Sequence, residues 1–203
     1  MIGSNIRIIS AAEEELIANN GHIEMLAVAQ RAGVSTGLAY HHFGSKAGVI
    51  AAVVSRFYEP IKEISFGHNE AQSFDWISRE KKRAKELINY YYDHPLSPLI
   101  FGRLGREPEV LDVENAHTEE LIRAGASNIA QGQKEGFIRV DLNPLVTVAL
   151  LMGGSRQVIN TALTSPQRPS RVELLSDIWL LTEGALGLNN EHETNNLEIN
   201  NAK

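Results

Sequence analysis

Residues 32–48, AGVSTGLAYHHFGSKAG, decide the fold. They read as a tight turn, a short exposed helix, a second turn and the start of another helix. Gly33 supplies the backbone freedom that ends one helix sharply. Ser35 stands where an N-cap belongs, its hydroxyl positioned to accept from an otherwise unpaired N–H of the new helix. At about 3.6 residues per turn, Leu38, Ala39, His42 and Phe43 share one face and Thr36, Gly37, Tyr40 and His41 the other. One face can pack; the other is slim and rich in hydrogen-bonding groups. Gly44 closes the helix, Ser45 caps the next, and Lys46 sits in its first turn. A cation there stands beside free N–H groups and a helix dipole that already favour an anion.

A helix, a glycine-containing turn and a second helix with small and polar groups outward is the helix-turn-helix pattern for reading a major groove. The segment closely resembles the recognition helix of the tetracycline-repressor (TetR) family of transcriptional regulators. The residues carrying the resemblance are Ala32-Gly33-Val34-Ser35, Tyr40, His42-Phe43 and Ser45-Lys46, with a helical pattern continuing through Val49 and Ile50. Residues 132–144, GQKEGFIRVDLNP, are similar to the loop that family members place before their last two helices. One departure stands out: the family's hydroxyl cap on the second helix is replaced by His22-Ile23-Glu24. The resemblance implies a ligand-responsive regulator, most often a repressor, that binds a pseudo-palindromic operator in double-stranded DNA as a homodimer. A small-molecule effector would release it.

Charge raises the main objection. The chain of 203 residues carries a formal charge of −6. In residues 1–57, Arg7, Arg31, Lys46 and Arg56 are offset by Glu13, Glu14, Glu15 and Glu24. DNA binding must then rest on few phosphate contacts, from Lys46, helix N-termini and hydroxyls, with a shallow to moderate salt dependence. Hydrophobic residues at 43% and charged residues at 22% fit a globular protein. With no cysteine, disulfides, thiolate metal sites and thiol redox sensing are excluded. No basic start followed by a long apolar run marks a secretory signal. The most apolar segment, Leu145 to Met152, is too short to span a bilayer. A cytoplasmic protein without membrane association is the expectation.

The remaining pattern reads as all-α, about nine helices. Ile6, Ile9, Leu16 and Ile17 form an apolar stripe in the first, which ends near Asn19-Asn20-Gly21; Leu26 to Ala32 form the second. The helix after Ser45 buries Val49, Ile50, Val53, Val54 and Phe57, and Glu59-Pro60 kinks or ends it. A loop over 67–73 precedes a helix with Phe74, Ile77, Ala84, Ile88 and Tyr91, stopped by Asp93-His94-Pro95. Short and long helices follow over 98–104 and 108–135. The last two, 144–164 and 171–188, are apolar almost all round, so one side needs a partner. A twofold four-helix interface is the simplest answer, and Gly153-Gly154 allow close crossing or mark a kink. The expected division is a helix-turn-helix domain over 1–48, a helical regulatory and dimerisation domain over 49–188, and a disordered tail over 189–203.

Ser35, Thr36, Gly37, Tyr40, His41 and Lys46 form the candidate DNA-contacting set. Trp76, Tyr90, Tyr91, Tyr92, Phe101 and His117 are candidates for a ligand pocket, with Arg103 and Arg106 as possible partners of an anion. His41 and His42 point about 100° apart and have no acidic or cysteine ligand near, so neither a metal nor a cofactor is expected. No nucleophile elbow, phosphate-cradling loop or HExxH is present, so no catalytic residue is assigned. Two rival readings stay open: a helical enzyme using His94 or His117, and a ligand-binding dimer that does not read DNA.

Overall fold

The computed structural model describes residues 3–66, 75–102, 104 and 108–188. The described residues form helices in the order α1 (Ser4–Ala18), α2 (Met25–Ala32), α3 (Thr36–Phe43), α4 (Lys46–Phe66), α5 (Trp76–Asp93), α6 (Ser97–Phe101), α7 (Pro108–Lys134), α8 (Pro144–Thr164) and α9 (Arg171–Leu186). No strand occurs among them. The expected loop over 67–73, Phe74, Arg103, Arg106 and the tail over 189–203 lie outside the described residues.

Helices α1 to α3 fold around the first half of α4. The buried face of α1 is Ile8, Ala11, Ala12 and Leu16. This corrects the stripe read from the sequence, because Ile6 and Ile17 are exposed. Two small alanines let α1 lie close to its neighbours, and a reading that counted only large apolar residues rotated the helix. Arg31 on α2 bonds both Glu14 and Glu15 on α1, at 2.9 and 2.7 Å. The N-cap of α2 is Glu24, whose side chain makes no capping bond, consistent with the missing hydroxyl.

Helix α4 buries Val49, Ile50, Val53, Val54, Phe57, Tyr58 and Ile61 at helical spacing. It runs on through Pro60 to Phe66 rather than ending there. Burial of that stripe outweighs the one backbone bond that proline removes. Its first half packs on α1, and further along it meets α5 and α7. One continuous buried cluster therefore joins Ile8 and Leu16 to Leu96, Ile100 and Val110.

In the second half of the chain α7 packs against α8, and α5 against α9. A Cβ at Gly125 would fall 2.8 Å from Val148, so the α7–α8 crossing is tight. Helix α9 opens on a capping box: the Glu173 amide donates to Ser170 Oγ and the Ser170 amide to Glu173 Oε2. Gly187 closes it in a left-handed conformation, so the helix ends at Leu186, two residues before the expected Leu188.

Candidate functional site

Helix α3 is held by its ends. Gly33, at φ +64°, closes α2 and turns the chain, a backbone shape that favours glycine. Arg7 reaches across from α1 to donate to the carbonyl of Ala32 at 2.9 Å, fixing the end of α2. Ser35 Oγ accepts from the amide of Leu38 at 3.1 Å. Ala39 is wholly buried, and Leu38 and Phe43 are half-buried. Outward stand Gly37, Tyr40 and His41, with Thr36 half-exposed beside them. A Cβ at Gly37 would meet nothing closer than Ser35 Oγ at 4.0 Å, so the surface there is open. Ser45 Oγ accepts from the amide of Gly48 at 2.9 Å, leaving Lys46 exposed in the first turn of α4. Ser35, Thr36, Gly37, Tyr40, His41 and Lys46 thus lie along one outward edge. His42 is exposed rather than tucked beside Leu38, and its Nε2 hydrogen-bonds Ser4 Oγ at 2.8 Å.

The neutral charge balance of this unit conceals an asymmetry. Arg7 holds the end of α2, Arg31 is paired with Glu14 and Glu15, and Arg56 with Glu13. Lys46 alone of the four cations has no protein partner among the described residues. Lys46, at the start of α4, and Arg7, which bonds only a neutral carbonyl, therefore keep their positive charge unmatched by a carboxylate among the described residues.

A cavity of about 380 Å³ lies between α4, α5, α7, α8 and α9. Aromatic and aliphatic side chains make most of its wall, including Tyr58, Trp76, Tyr91 and Trp179, and Glu80, Arg83, Asn128 and Arg156 bring polar groups. Trp76 and Tyr91 are the sequence candidates that reach it. Tyr90 turns away and donates to the carbonyl of Phe57 at 2.6 Å, and Tyr92 to that of Pro169 at 3.1 Å. Three consecutive helical residues point about 100° apart, so Tyr91 alone of this run enters the wall. Phe101 lies under the Arg156 guanidinium at 5.0 Å, and His117 stacks on Tyr58 at 4.9 Å. Burial pushes the Tyr91 phenol up to about 12. Burial likewise raises Tyr58, which stays protonated and donates to Glu114 Oε1 at 2.8 Å. Arg156 also bonds Glu114, at 3.0 Å.

Comparison with known proteins supplies what geometry alone does not. Residues 8–53 match the family described as bacterial regulatory proteins, tetR family. Over these residues the chain is similar to the tetR family. It is 27% identical over 155 residues to the HTH-type transcriptional regulator UidR of Escherichia coli K12, covering 72% of this chain and 74% of UidR. Its fold is similar to that of Bacillus subtilis FadR, solved in complex with stearoyl-CoA, with a TM-score of 0.71 and 17% identity, covering 87% of this chain and 96% of that one. It is similar also to Pseudomonas aeruginosa NalD, the secondary repressor of the MexAB-OprM efflux pump, with a TM-score of 0.73, 15% identity and coverage of 92% and 98%. The protein is thus a transcriptional regulator with an N-terminal helix-turn-helix and a C-terminal helical part.

The charged wall residues Glu80, Arg83 and Arg156 are not among the candidates that the sequence offers. Arg156 left a signal, as the one charged residue in the 21 of α8. Arg83 left none, standing among several charges on α5. His94 and His117 lie outside the cavity wall. Among the described residues no group of three potential metal ligands comes together, and no helix is long and apolar enough to cross a membrane.

Proposed function

We propose that this regulator is a cytoplasmic, non-catalytic repressor that binds a pseudo-palindromic operator as a homodimer and leaves it when a small molecule fills the cavity. The observation carrying the proposal is the exposed hydrogen-bonding face of α3, followed in the first turn of α4 by Lys46, which has no protein partner among the described residues. Residues 1–48 form the reading head, residues 49–188 the regulatory and dimerisation part, and α4 runs between them. Lys46, Tyr40, Thr36 and the Ser35 end of α3 contact phosphates, Gly37 admits the DNA backbone, and His41 reaches a base edge.

The partner surface is on α8 and α9. Leu145, Val146, Ala149, Leu150, Gly153, Gly154 and Val158 form an exposed strip without a charge, and Val172, Leu180, Leu181 and Gly184 are exposed on α9, with Glu173 and Asp177 among them. Nothing lies within 4 Å of a Cβ built at Gly153, Gly154 or Gly184, so a second copy can approach closely. Pairing 144–164 and 171–186 with their twofold mates makes a four-helix seam. It would set two α3 helices in successive major grooves, about 34–36 Å apart. An effector that prefers a different tilt of α4 shifts the population away from that spacing. By reciprocity, DNA weakens effector binding by the factor the effector weakens DNA binding.

Selection of bound fragments from the source genome, repeated with Tyr40→Ala plus Lys46→Ala, tests the reading. A shared inverted repeat that vanishes with the double variant is the expected result. An unchanged fragment set refutes the assigned face, and no enrichment favours the ligand-binding dimer that does not read DNA.

A further inference from the structure

The cavity wall carries unbalanced charge on α5. Arg79, Glu80 and Arg83 lie within one turn, and the single carboxylate of Glu80 serves both guanidinium groups, Arg79 at 3.5 Å and Arg83 more closely. Two cations share one anion. Arg83 and Glu80 reach the wall, and the Nε–H of Arg83 is buried with no hydrogen-bond partner among the described residues. A buried donor left unmet, on a cation only half neutralised, is a costly arrangement that a bound anion would relieve. The other wall guanidinium offers no such excess, because Arg156 is matched by Glu114, with Tyr58 completing the bonds of that carboxylate. Glu183 stands behind Trp179, whose indole N–H donates to it, and is not part of the wall.

The rest of the wall is mostly apolar, with Asn128, Ser155 and Thr182 adding polar groups, and the cavity is small. Trp76, Trp179 and Tyr91 supply flat faces, and a volume of about 380 Å³ is at the lower end of drug-sized sites. We propose that the effector is a small amphiphilic carboxylate with an aromatic or aliphatic body, and that Arg83 receives its head through Nε–H while keeping Glu80. This rests on the cavity being the effector site. It assigns the head group to a free carboxylate and not to the phosphates of a coenzyme A thioester.

The chain has two tryptophans, Trp76 and Trp179, and both line the cavity, so intrinsic fluorescence reports its occupancy directly. The full chain is titrated with phenylalkanoates from benzoate to 6-phenylhexanoate and alkanoates from hexanoate to dodecanoate. Each is paired with its amide and its amine, and octanoyl-CoA is included. The expected result is quenching by members of the acid series, with binding about tenfold or more tighter than the matching amides, as a charge-assisted bond implies. Amines should not bind. Arg83→Gln should abolish the acid-over-amide preference and Arg83→Lys should retain part of it, with circular dichroism melts checking that each variant folds. If Arg83→Gln fails to fold, Arg83→Lys alone decides by whether the preference narrows.

Amides equal to acids across the series, octanoyl-CoA preferred to octanoate, a preference unchanged in the Arg83 variants, or no binding by any acid would each overturn the assignment. Operator release is read separately, by fluorescence anisotropy of labelled DNA. An acid that binds through Arg83 without releasing DNA upholds the head-group assignment and refutes induction. Release driven by neutral compounds alone does the reverse.

Discussion

The two ends of this molecule solve opposite packing problems. Around α1 to α4 every large inward side chain has a neighbour, and what faces out on α3 is polar. Around α5, α7, α8 and α9 the interior keeps a hole, and what faces out on α8 and α9 is grease. A filled core with a polar outer face needs no second protein surface; it suits a rigid piece presented to a hydrated polyanion. A hollow core with bare leucines outside has room for a small molecule within and apolar surface without. Rigidity belongs where geometry is read, and free volume where occupancy is sensed.

The hardest blow to that contrast falls on the bare strip. Leu150 and Leu180 are 71% and 68% exposed in the single chain, so replacing both with Glu spares the fold of the subunit. Sedimentation should show monomers, and operator affinity should drop by about 10²–10⁴-fold as the two heads lose their linkage. A double variant that stays dimeric with full affinity places the seam elsewhere. Next comes the filled core. Phe57 is 2% exposed and touches both regions, so Phe57→Ala should cost about 3–5 kcal/mol in urea unfolding. Met152→Ala, already facing empty space, should cost less. Equal costs would mean the two interiors are packed alike.

Effects on the reading face are smaller. Lys46→Ala should weaken all DNA sequences about equally and reduce the salt slope by about one unit per subunit. His41→Ala should alter base preference, by about 1–3 kcal/mol at one position. Similar losses on every site for both variants would show that α3 is turned differently in the groove.

The gentlest test is pH. His94 wedges against Phe57 at 4.8 Å and accepts from the Leu96 amide at Nδ1, which requires that nitrogen unprotonated. Burial, joined by Arg56 and opposed by Glu13, holds His94 below the ordinary histidine range. Burial and Lys62 do the same for His117, against Glu120 and Glu59. Below about pH 6.5 the unfolded chain takes up protons that the folded one resists, so stability falls as pH drops through that region. Melting temperatures at pH 7.5 and 5.5 should differ more for the native chain than for His94→Gln with His117→Gln.

What could be read ahead of the structure follows the same contrast. The α3 segment was legible because glycines, hydroxyl caps and helical spacing are local: Ser35 bonds a residue three positions away. The stripe of α4 and the bounds of α8 were legible for the same reason. The face of α1 was not, since Ala11 and Ala12 become core only because neighbours come close enough to need small residues. The cavity was less legible still. It is lined from five helices, and nothing in residues 90–92 says which tyrosine points inward until α5 has a neighbour on each side. Charge was misleading in sum and informative in detail, because Arg31 and Arg56 are paired with carboxylates of α1 while Lys46 is not.

Gly48 stands in the first turn of α4, where its amide donates to Ser45 Oγ. A Cβ there would stand 2.1 Å from the carbonyl oxygen of Phe43, a backbone atom that cannot step aside. The last turn of α3 and the first of α4 are thus pressed together without clearance. In a saturation library position 48 should admit no replacement that keeps operator binding, while the open Gly153 and Gly154 accept alanine in the isolated subunit. Where α4 leans, the reading head must lean with it, with no slack in the joint.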